Sequence, residues 1–493
     1  MELPEYASDK EIDQAVDKIR EIFKSDLKNG ESYDEGLYIS HEKSVLDEHA
    51  DTYFNTHHAL DNERSHYVLF PRLTAQVSEI LKLCHEYKIP VVATGGRSSL
   101  EGHFIPTRGG ISLDLSNMDA IVHFKPTDLD ITVEAGLGWE ALNDYLEDYR
   151  LMFPVDPGPG ATVGGCVTNN SSGTNATRYG AAFANVVSLT VVLADGTVVR
   201  TKKRPRKTSA GYNLNGLFTG SEGTLGIITE VTVKLHVKPK VERVAVVPFK
   251  TIKDAANSVN EFLISGINLN AIELLDDKMM KCVNDSGETT RKWTQAPTLF
   301  LKIGGSNDEV VKSTINQTKE ISAQHGSLDF QFASNEEETV ELWSARKVAL
   351  WSTINQGKLK NNDIQLWTTD TAVPISRLPR YLVEVKKAID DAGLENTLVA
   401  HIGDGNAHSF ILYHPEEHAK AERIVHDIVK KAIELEGTCT GEHGIGYGKI
   451  DLLEEELGLI PIDVMRKLKL ALDPQRILNP DKVFRMDPNK KVE

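Results

Sequence analysis

Residues 154–165 read PVDPGPGATVGG, and residues 169–175 read NNSSGTN. Glycines stand here among small hydroxyl and amide side chains, with Asp156 as the one charged residue of the two stretches. A chain of this kind brings its backbone N–H groups close to a partner, which is how proteins hold a pyrophosphate. The segment therefore predicts a phosphate-binding loop.

Two further glycine-rich loops accompany it. Residues 94–102 read TGGRSSLEG and follow the apolar run 91–93, and residues 220–226 read GSEGTLG and precede another strand-like run. A Rossmann fingerprint needs glycine at its first, third and sixth positions, but after Gly158 and Gly160 the sixth position is Val163. The sequence also contains no GxxxxGK[ST] phosphate loop. Each loop alone is compatible with an ordinary turn, whereas the three together predict a large dinucleotide lying across a sheet.

Composition limits the class of protein. The chain has 493 residues, 40% of them hydrophobic and 26% charged, which suits two or three globular domains. A formal net charge of −17 argues against nucleic acid or an anionic membrane surface as the main partner. The one basic cluster, residues 202–207 (KKRPRK), is interpreted as a solvated loop rather than a nuclear import signal.

The cysteines and the apolar runs indicate a compartment. No CxxC pair occurs, so the sequence predicts free thiols in a reducing compartment for Cys84, Cys166, Cys282 and Cys439. No run of eighteen apolar residues exists, which predicts no transmembrane anchor. Residues 1–10 are acidic rather than arginine-rich, so no signal or transit peptide is visible.

The pattern of apolar residues divides the chain into four parts. Residues 1–61 are polar and predict an N-terminal arm with one or two short helices. Residues 62–241 combine short strands with the glycine loops. Residues 242–440 predict a second α+β domain with an antiparallel sheet, and residues 441–493 a C-terminal segment that returns to the active site and ends in a helical tail.

A second constellation lies near the C-terminus. Residues 401–408 read HIGDGNAH, and the central turn predicts a hairpin that places His401 near His408. Residues 441–446 read GEHGIG, so Glu442 is available as a third ligand. Two imidazoles and one carboxylate form a divalent-metal site with open positions for a substrate. The alternative interpretation is a histidine pair that only caps two strand ends.

Two further residues suit the chemistry of a 2-hydroxy acid. His443, next to Glu442, is the candidate general base, because the pKa of an unperturbed histidine lies near neutrality. Arg346, on a predicted helix, is the candidate for binding the substrate carboxylate through its guanidinium fork. The alternatives are a loop histidine that hydrogen-bonds backbone and a solvent-exposed helix arginine.

From about Ser65 onward the chain resembles the FAD-linked D-2-hydroxyacid dehydrogenases, above all the cytochrome-linked D-lactate dehydrogenases, of the vanillyl-alcohol oxidase and p-cresol methylhydroxylase (PCMH) flavoprotein superfamily. The resemblance is carried by these stretches: 95–103, 157–180, 210–226, 369–379, 401–408 and 441–446. It implies a PCMH-type FAD-binding domain followed by an α+β substrate (cap) domain. It also implies D-lactate oxidation with electrons passed to cytochrome c, and a mitochondrial location, with the cytoplasm as the alternative where no presequence is visible.

The resemblance also implies roles for individual residues. His401, His408 and Glu442 are the implied ligands of a zinc or manganese ion, His443 is the implied base, and Arg346 is the implied carboxylate ligand. The implied FAD-binding residues lie in the three glycine loops and next to them: Gly95, Gly96, Arg97, Ser98, Ser99, Gly102, Pro157, Gly158, Thr162, Gly164, Gly165, Ser172, Gly173, Asn175, Tyr179, Gly180, Glu222, Gly223, Gly226, Ile227 and Ile228. Arg97 stands where a flavin-linking histidine would be sought, so non-covalent FAD is expected.

One departure from the family bears on the substrate. Relatives that oxidise D-2-hydroxyglutarate carry a lysine just before the aspartate of the 369–379 stretch, and Thr368 and Thr369 occupy this region here. A distal carboxylate would lack its cation, which favours a short substrate such as D-lactate. The alternatives are D-2-hydroxyglutarate or glycolate oxidation on the same scaffold, a flavin-free metal hydrolase, and a non-catalytic flavin-binding protein.

Overall fold

The structure, a computed structural model, describes residues 4–27 and 32–487. It divides into two compact units. Unit 1 comprises the described parts of Met1–Ser172, Ala181–Val237 and Glu442–Glu493, and unit 2 comprises Gly173–Gly180 and Lys238–Gly441. The chain therefore completes most of unit 1, builds unit 2, and then returns to unit 1.

Unit 1 contains two main sheets and a two-stranded ribbon. The first sheet has the order Ile39–Ser40, Tyr67–Leu69, Ile111–Asp114, Val91–Thr94, with its last three strands parallel. The second sheet is antiparallel, in the order Ile121–Lys125, Asp130–Glu134, Ile227–Lys234, Val186–Val192, Val198–Arg200. The ribbon pairs Leu151–Met152 with His236–Val237. The α-helices are Asp9–Ser25, Lys43–Glu48, Thr74–Tyr87, Trp139–Leu146, Val163–Asn169, Ala182–Asn185, Leu214–Phe218, Ile450–Leu457 and Leu459–Leu472, and the 3₁₀ turns are Glu35–Leu37, Pro126–Asp128 and Glu147–Tyr149.

The N-terminal helix Asp9–Ser25 is an integral part of the core of unit 1. Its apolar residues recur at helical spacing, so one face of the helix is buried: Ile12, Ala15, Val16, Ile19 and Phe23. This face joins the same hydrophobic cluster as helix Thr74–Tyr87 and the parallel sheet. The segment therefore contains a longer and more deeply packed helix than the short helices expected of it.

Unit 2 is built on one antiparallel sheet. The strand order is Gln331–Phe332, Val241–Pro248, Thr298–Gly305, Ala271–Leu275, Glu395–His401, Asn406–Tyr413, Gln365–Thr368, and Thr371–Ala372 also pairs with Asn406–Tyr413. The α-helices are Ala176–Tyr179, Ile252–Ile264, Asp277–Ser286, Asp308–Gln324, Glu336–Lys360, Leu378–Asp391 and His418–Glu434, and the 3₁₀ turns are Ile375–Arg377 and Pro415–Glu417. Hydrophobic clusters lie on both faces of this sheet. The α+β class, the antiparallel sheet of the second unit and the helical C-terminal segment are confirmed.

Two predicted hairpins are present. Strands Val186–Val192 and Val198–Arg200 pair on either side of the Asp195–Gly196 turn. Strands Glu395–His401 and Asn406–Tyr413 pair with His401 opposite Asn406. Among the described residues, no helix combines the length and the apolar character needed to cross a membrane.

Candidate functional site

The first two glycine loops of unit 1 pack closely against each other. A Cβ on Gly95 would lie 2.5 Å from Thr162 Oγ1, and a Cβ on Gly96 would overlap the carbonyl oxygen of Gly160. Only glycine allows this approach. By contrast, a Cβ built on Gly158 or Gly160 would have no described protein atom within 4 Å, apart from its own chain neighbours. The second loop thus presents bare backbone to its surroundings, which fits a cofactor that contacts main-chain atoms.

The third glycine loop joins the second through main-chain hydrogen bonds. Gly220 N donates to Val167 O and Glu222 N donates to Thr168 O, each at 3.0 Å. Val167 and Thr168 belong to the short helix Val163–Asn169, which Thr162 begins by accepting a hydrogen bond from Gly165 N. The three loops predicted from sequence are therefore neighbours in unit 1. Of the implied flavin residues, Gly173, Asn175, Tyr179 and Gly180 lie in unit 2 and the others in unit 1.

Two of the implied flavin-binding residues use their side chains to form hydrogen bonds with other residues of the protein. Arg97, with a left-handed φ of 50°, donates from Nη1 to Asp114 Oδ2 at 2.6 Å. Glu222, also left-handed, accepts hydrogen bonds from Ile445 N and Gly446 N, both at 2.7 Å. Burial raises the pKa of the Glu222 carboxyl, but His103 and the two amides outweigh it, so that pKa lies below its ordinary value. Glu222 therefore anchors the backbone just after His443.

The predicted base and its neighbour have contacts inside unit 1. Glu442 Oε2 accepts a hydrogen bond from Ser172 Oγ at 2.6 Å. His443 Nδ1 lies 4.0 Å from Glu101 Oε1, a buried carboxylate oxygen of the first glycine loop. The Lys449 ammonium lies 3.3 Å from the same oxygen. The segment 442–449 is therefore fixed by side chains of the glycine loops.

The two candidate histidine ligands sit on the hairpin of unit 2. Their rings are 5.4 Å apart between centroids. His401 Nδ1 lies 2.8 Å from Glu273 Oε1, and His408 Nδ1 lies 2.9 Å from Thr369 O. Since both partners accept, each Nδ1 acts as a donor, which leaves each Nε2 as the ring atom that can ligate a metal. Such outer partners of the ring N–H are typical of metal-ligating histidines.

Glu273 links His401 to Arg346. It lies in the apolar strand Ala271–Leu275, is fully buried, and accepts a hydrogen bond from Arg346 Nε at 2.7 Å. Burial raises the pKa of the Glu273 carboxyl. His401 and Arg346 lower it by more than burial raises it, so the pKa lies below its ordinary value. Glu273 is thus an ionised carboxylate between a candidate metal ligand and a candidate substrate ligand.

A second buried carboxylate of unit 2 fixes the chain just before Glu442. Asp370 Oδ2 accepts hydrogen bonds from Thr440 Oγ1 at 2.7 Å and Gly441 N at 2.9 Å. Asp370 Oδ1 accepts from Asn406 Nδ2 at 2.7 Å. Asn406 begins the strand that carries His408, so the residue that precedes Glu442 in the chain is tied to the histidine hairpin.

The sequence predicts no role for Glu101, Glu273 or Asp370. Glu273 carries a visible signal, because a lone carboxylate inside a strand of alanine, isoleucine and leucine needs a buried partner. Glu101 and Asp370 have polar neighbours in the sequence, where an acidic residue gives no signal of burial. Their partners come from distant parts of the chain.

Comparison with known proteins identifies the family. Residues 65–202 match the model described as FAD binding domain, and residues 238–483 match the model described as FAD linked oxidases, C-terminal domain. The chain is 51% identical to D-lactate dehydrogenase [cytochrome], mitochondrial, from Kluyveromyces lactis, over 99% of this chain and 84% of the relative. It is 52% identical to D-lactate dehydrogenase [cytochrome] 1, mitochondrial, from Saccharomyces cerevisiae, over 99% and 83%.

Solved structures agree on the fold. A 4-ethylphenol oxidase from Gulosibacter chungangensis superimposes with a TM-score of 0.78 at 18% identity, covering 98% of this chain and 99% of that one. The p-cresol methylhydroxylase with substrate bound gives a TM-score of 0.77 at 19% identity, covering 99% and 100%. The PCMH-type fold and the FAD-binding domain expected from the sequence are confirmed. The chain belongs to the FAD-linked oxidase family that includes the cytochrome-linked D-lactate dehydrogenases, and is an FAD-dependent oxidoreductase.

Proposed function

We propose that this enzyme oxidises D-lactate to pyruvate with the help of a divalent metal. The observation that carries the proposal is the Arg346–Glu273–His401 array of unit 2, in which one buried carboxylate fixes both a cation and an imidazole. A 2-hydroxy acid offers its carboxylate to the Arg346 guanidinium and its hydroxyl to a metal bound by the His401 imidazole. The names of the two yeast relatives support the same substrate.

Arg346 binds the substrate carboxylate. Its hydrogen bond to Glu273 uses Nε, so the Nη1 and Nη2 atoms remain for a bidentate contact. Glu273 holds the guanidinium in one orientation, and this fixes the orientation of the bound carboxylate. Lysine would not replace this planar fork.

His401, His408 and Glu442 are the proposed metal ligands, and His443 is the proposed base. Two imidazole nitrogens and one carboxylate suit zinc or manganese. A metal held by these residues would supply a Lewis acid that lowers the pKa of the substrate hydroxyl. His443 takes the hydroxyl proton, and Ser172 holds the Glu442 carboxylate through its hydrogen bond. The glycine loops would hold FAD non-covalently, and the flavin would supply the acceptor for the hydride on C2.

A short substrate agrees with the surroundings of Thr369. This residue is buried, its Oγ1 accepts a hydrogen bond from Ser409 N at 2.8 Å, and its carbonyl holds His408. Thr368 and Thr369 supply no cation for a second carboxylate. We therefore propose D-lactate in preference to D-2-hydroxyglutarate.

The acceptor and the location follow the relatives. We propose cytochrome c as electron acceptor and the mitochondrion as compartment, because the names of both yeast relatives contain the words cytochrome and mitochondrial. We also propose residues 62–241 as the flavin domain and 242–440 as the substrate domain, with 1–61 and 441–493 as the flanking segments.

A substrate panel tests the proposal. The purified protein is mixed anaerobically with D-lactate, L-lactate, glycolate or D-2-hydroxyglutarate, and bleaching of the oxidised flavin absorbance is followed. We expect fast bleaching by D-lactate and slow or no bleaching by L-lactate and D-2-hydroxyglutarate. Faster bleaching by D-2-hydroxyglutarate would overturn the substrate assignment.

Glycolate is the second candidate. The chain is 34% identical to the Glycolate oxidase subunit GlcD of Bacillus subtilis, over 86% of this chain and 90% of the relative. Glycolate also has one carboxylate and no distal charge, so Arg346 serves it equally well. Bleaching by glycolate that outpaces D-lactate would favour this candidate.

A further inference from the structure

Glu101 is a carboxylate that the flavin loop places deep inside unit 1. It follows Leu100 in the first glycine loop and is 2% exposed. Its Oε2 accepts a hydrogen bond from Thr56 Oγ1 at 2.8 Å. Within the described residues Oε1 accepts no hydrogen bond, and instead faces the Lys449 ammonium at 3.3 Å and His443 Nδ1 at 4.0 Å. A buried carboxylate oxygen of this kind needs a donor.

The backbone brings the same groups together. Glu101 O accepts hydrogen bonds from Tyr447 N at 2.8 Å and Gly448 N at 3.1 Å. A Cβ on Gly446 would overlap Glu101 O, so the two segments are packed as closely as glycine permits. The carboxylate therefore cannot drift away from the segment that carries His443.

The surrounding groups favour an ionised Glu101. Burial raises the pKa of the Glu101 carboxyl, but Lys449, His443, His57 and the Thr56 hydroxyl outweigh it, so the pKa lies below its ordinary value. The ammonium of Lys449 balances the carboxylate charge. The ionised Oε1 thus offers an acceptor 4.0 Å from His443 Nδ1.

We propose that Glu101 is the positioning residue of the catalytic base: it accepts the Nδ1–H of His443 and so directs the Nε2 lone pair to the substrate hydroxyl. A carboxylate that fixes the tautomer of a histidine base is a recurrent device in catalysis. The present 4.0 Å closes to a hydrogen bond with a shift of about 1 Å, as catalytic hydrogen bonds tighten when substrate binds. This inference rests on the proposed role of His443.

A double-mutant cycle tests the inference. Wild type, Glu101→Gln, His443→Ala and the double variant are compared by anaerobic stopped-flow reduction of the flavin with D-lactate. We expect Glu101→Gln to slow the limiting rate roughly 10- to 100-fold, part of the 10²–10⁴-fold that a positioned base contributes, with little change in half-saturating D-lactate. Because Glu101 acts through His443, the double variant is expected to match His443→Ala within about twofold.

Asp130→Asn is the matched control. Asp130 is a buried carboxylate of unit 1 paired with Arg204 at 2.6 Å, away from the proposed machinery. It controls for the loss of a buried charge, and its flavin-reduction rate and FAD content are expected to stay within twofold of wild type. If Glu101→Gln does not fold, Glu101→Asp keeps the charge but retracts the oxygen, and is expected to slow the same step.

The outcomes distinguish the role of Glu101 from the assignment of His443 as the base. Multiplicative losses in the double variant, or wild-type reduction by Glu101→Gln while His443→Ala is slow, would overturn the role of Glu101 and leave the proposed function intact. Full-rate reduction by His443→Ala would overturn the base assignment itself. Loss of FAD from Glu101→Gln with a normal rate per bound flavin would make Glu101 a structural residue.

Discussion

Replacing Glu273 by glutamine removes one charge and leaves the shape of the side chain unchanged. Glu273 accepts from His401 Nδ1 at 2.8 Å and from Arg346 Nε at 2.7 Å, one bond on each oxygen. Glutamine has one acceptor oxygen and one amide nitrogen, so it satisfies one of these donors and places an N–H against the other. One charge-assisted hydrogen bond is lost, and the Arg346 guanidinium loses its buried counter-charge.

The magnitudes follow from these two losses. Removing one partner of a buried ion pair costs about 3–5 kcal/mol, and glutamine retains one bond, so we expect about 3 kcal/mol less stability. Loss of a carboxylate behind a ligating histidine costs about 10- to 100-fold in metal affinity. Since Arg346 also loses its counter-charge and is held less firmly, we expect a higher KM for D-lactate.

Zinc and manganese binding to Glu273→Gln is measured at buffered free-metal concentrations, alongside thermal unfolding. Glu395→Gln is the control, because Glu395 begins the strand of His401 but pairs with Lys360 at the surface, where an ion pair contributes about 0–1 kcal/mol. Unchanged metal affinity in Glu273→Gln, with the stability loss present, would refute the idea that Glu273 orients a metal ligand.

Three further predictions concern unit 1. Gly96→Ala is expected to lose most bound FAD, because its Cβ overlaps Gly160 O; FAD content per chain checks this, and full occupancy would contradict the packing. Burial raises the pKa of Cys84 and Cys166 to about 12, so both thiols are expected to resist a disulfide reagent at pH 8 until the protein unfolds. Burial lowers the pKa of Lys482 to about 8. The folded state therefore loses this proton first, and the stability of wild type relative to Lys482→Met is expected to rise between about pH 8 and 10 by up to about 3 kcal/mol; a flat difference in melting temperature would contradict this.

The elements that the sequence predicted best are those with a strong local signal. Helix Thr74–Tyr87 and the hairpin around Asp195–Gly196 follow from a 3.6-residue period and a turn dipeptide. Helix Asp9–Ser25 was underestimated because charged residues dominate its composition, although its apolar residues keep helical spacing. The helix Val163–Asn169 was hidden by its two glycines, of which Gly164 is required by the packing against Ala135.

The candidate site shows the same difference between contacts that local sequence predicts and contacts that depend on the fold. That His401 and His408 share a hairpin is a local fact, and the turn between them predicts it. That Glu273 holds His401 depends on strand Ala271–Leu275 lying beside strand Glu395–His401. No alternation of apolar residues specifies this contact between side chains 128 residues apart. Such a carboxylate still leaves a trace: it stands where local rules forbid a charge, and burial then demands a cation or an imidazole beside it. A lone acidic residue in an apolar strand thus predicts that a polar partner exists, while only the fold can name the partner.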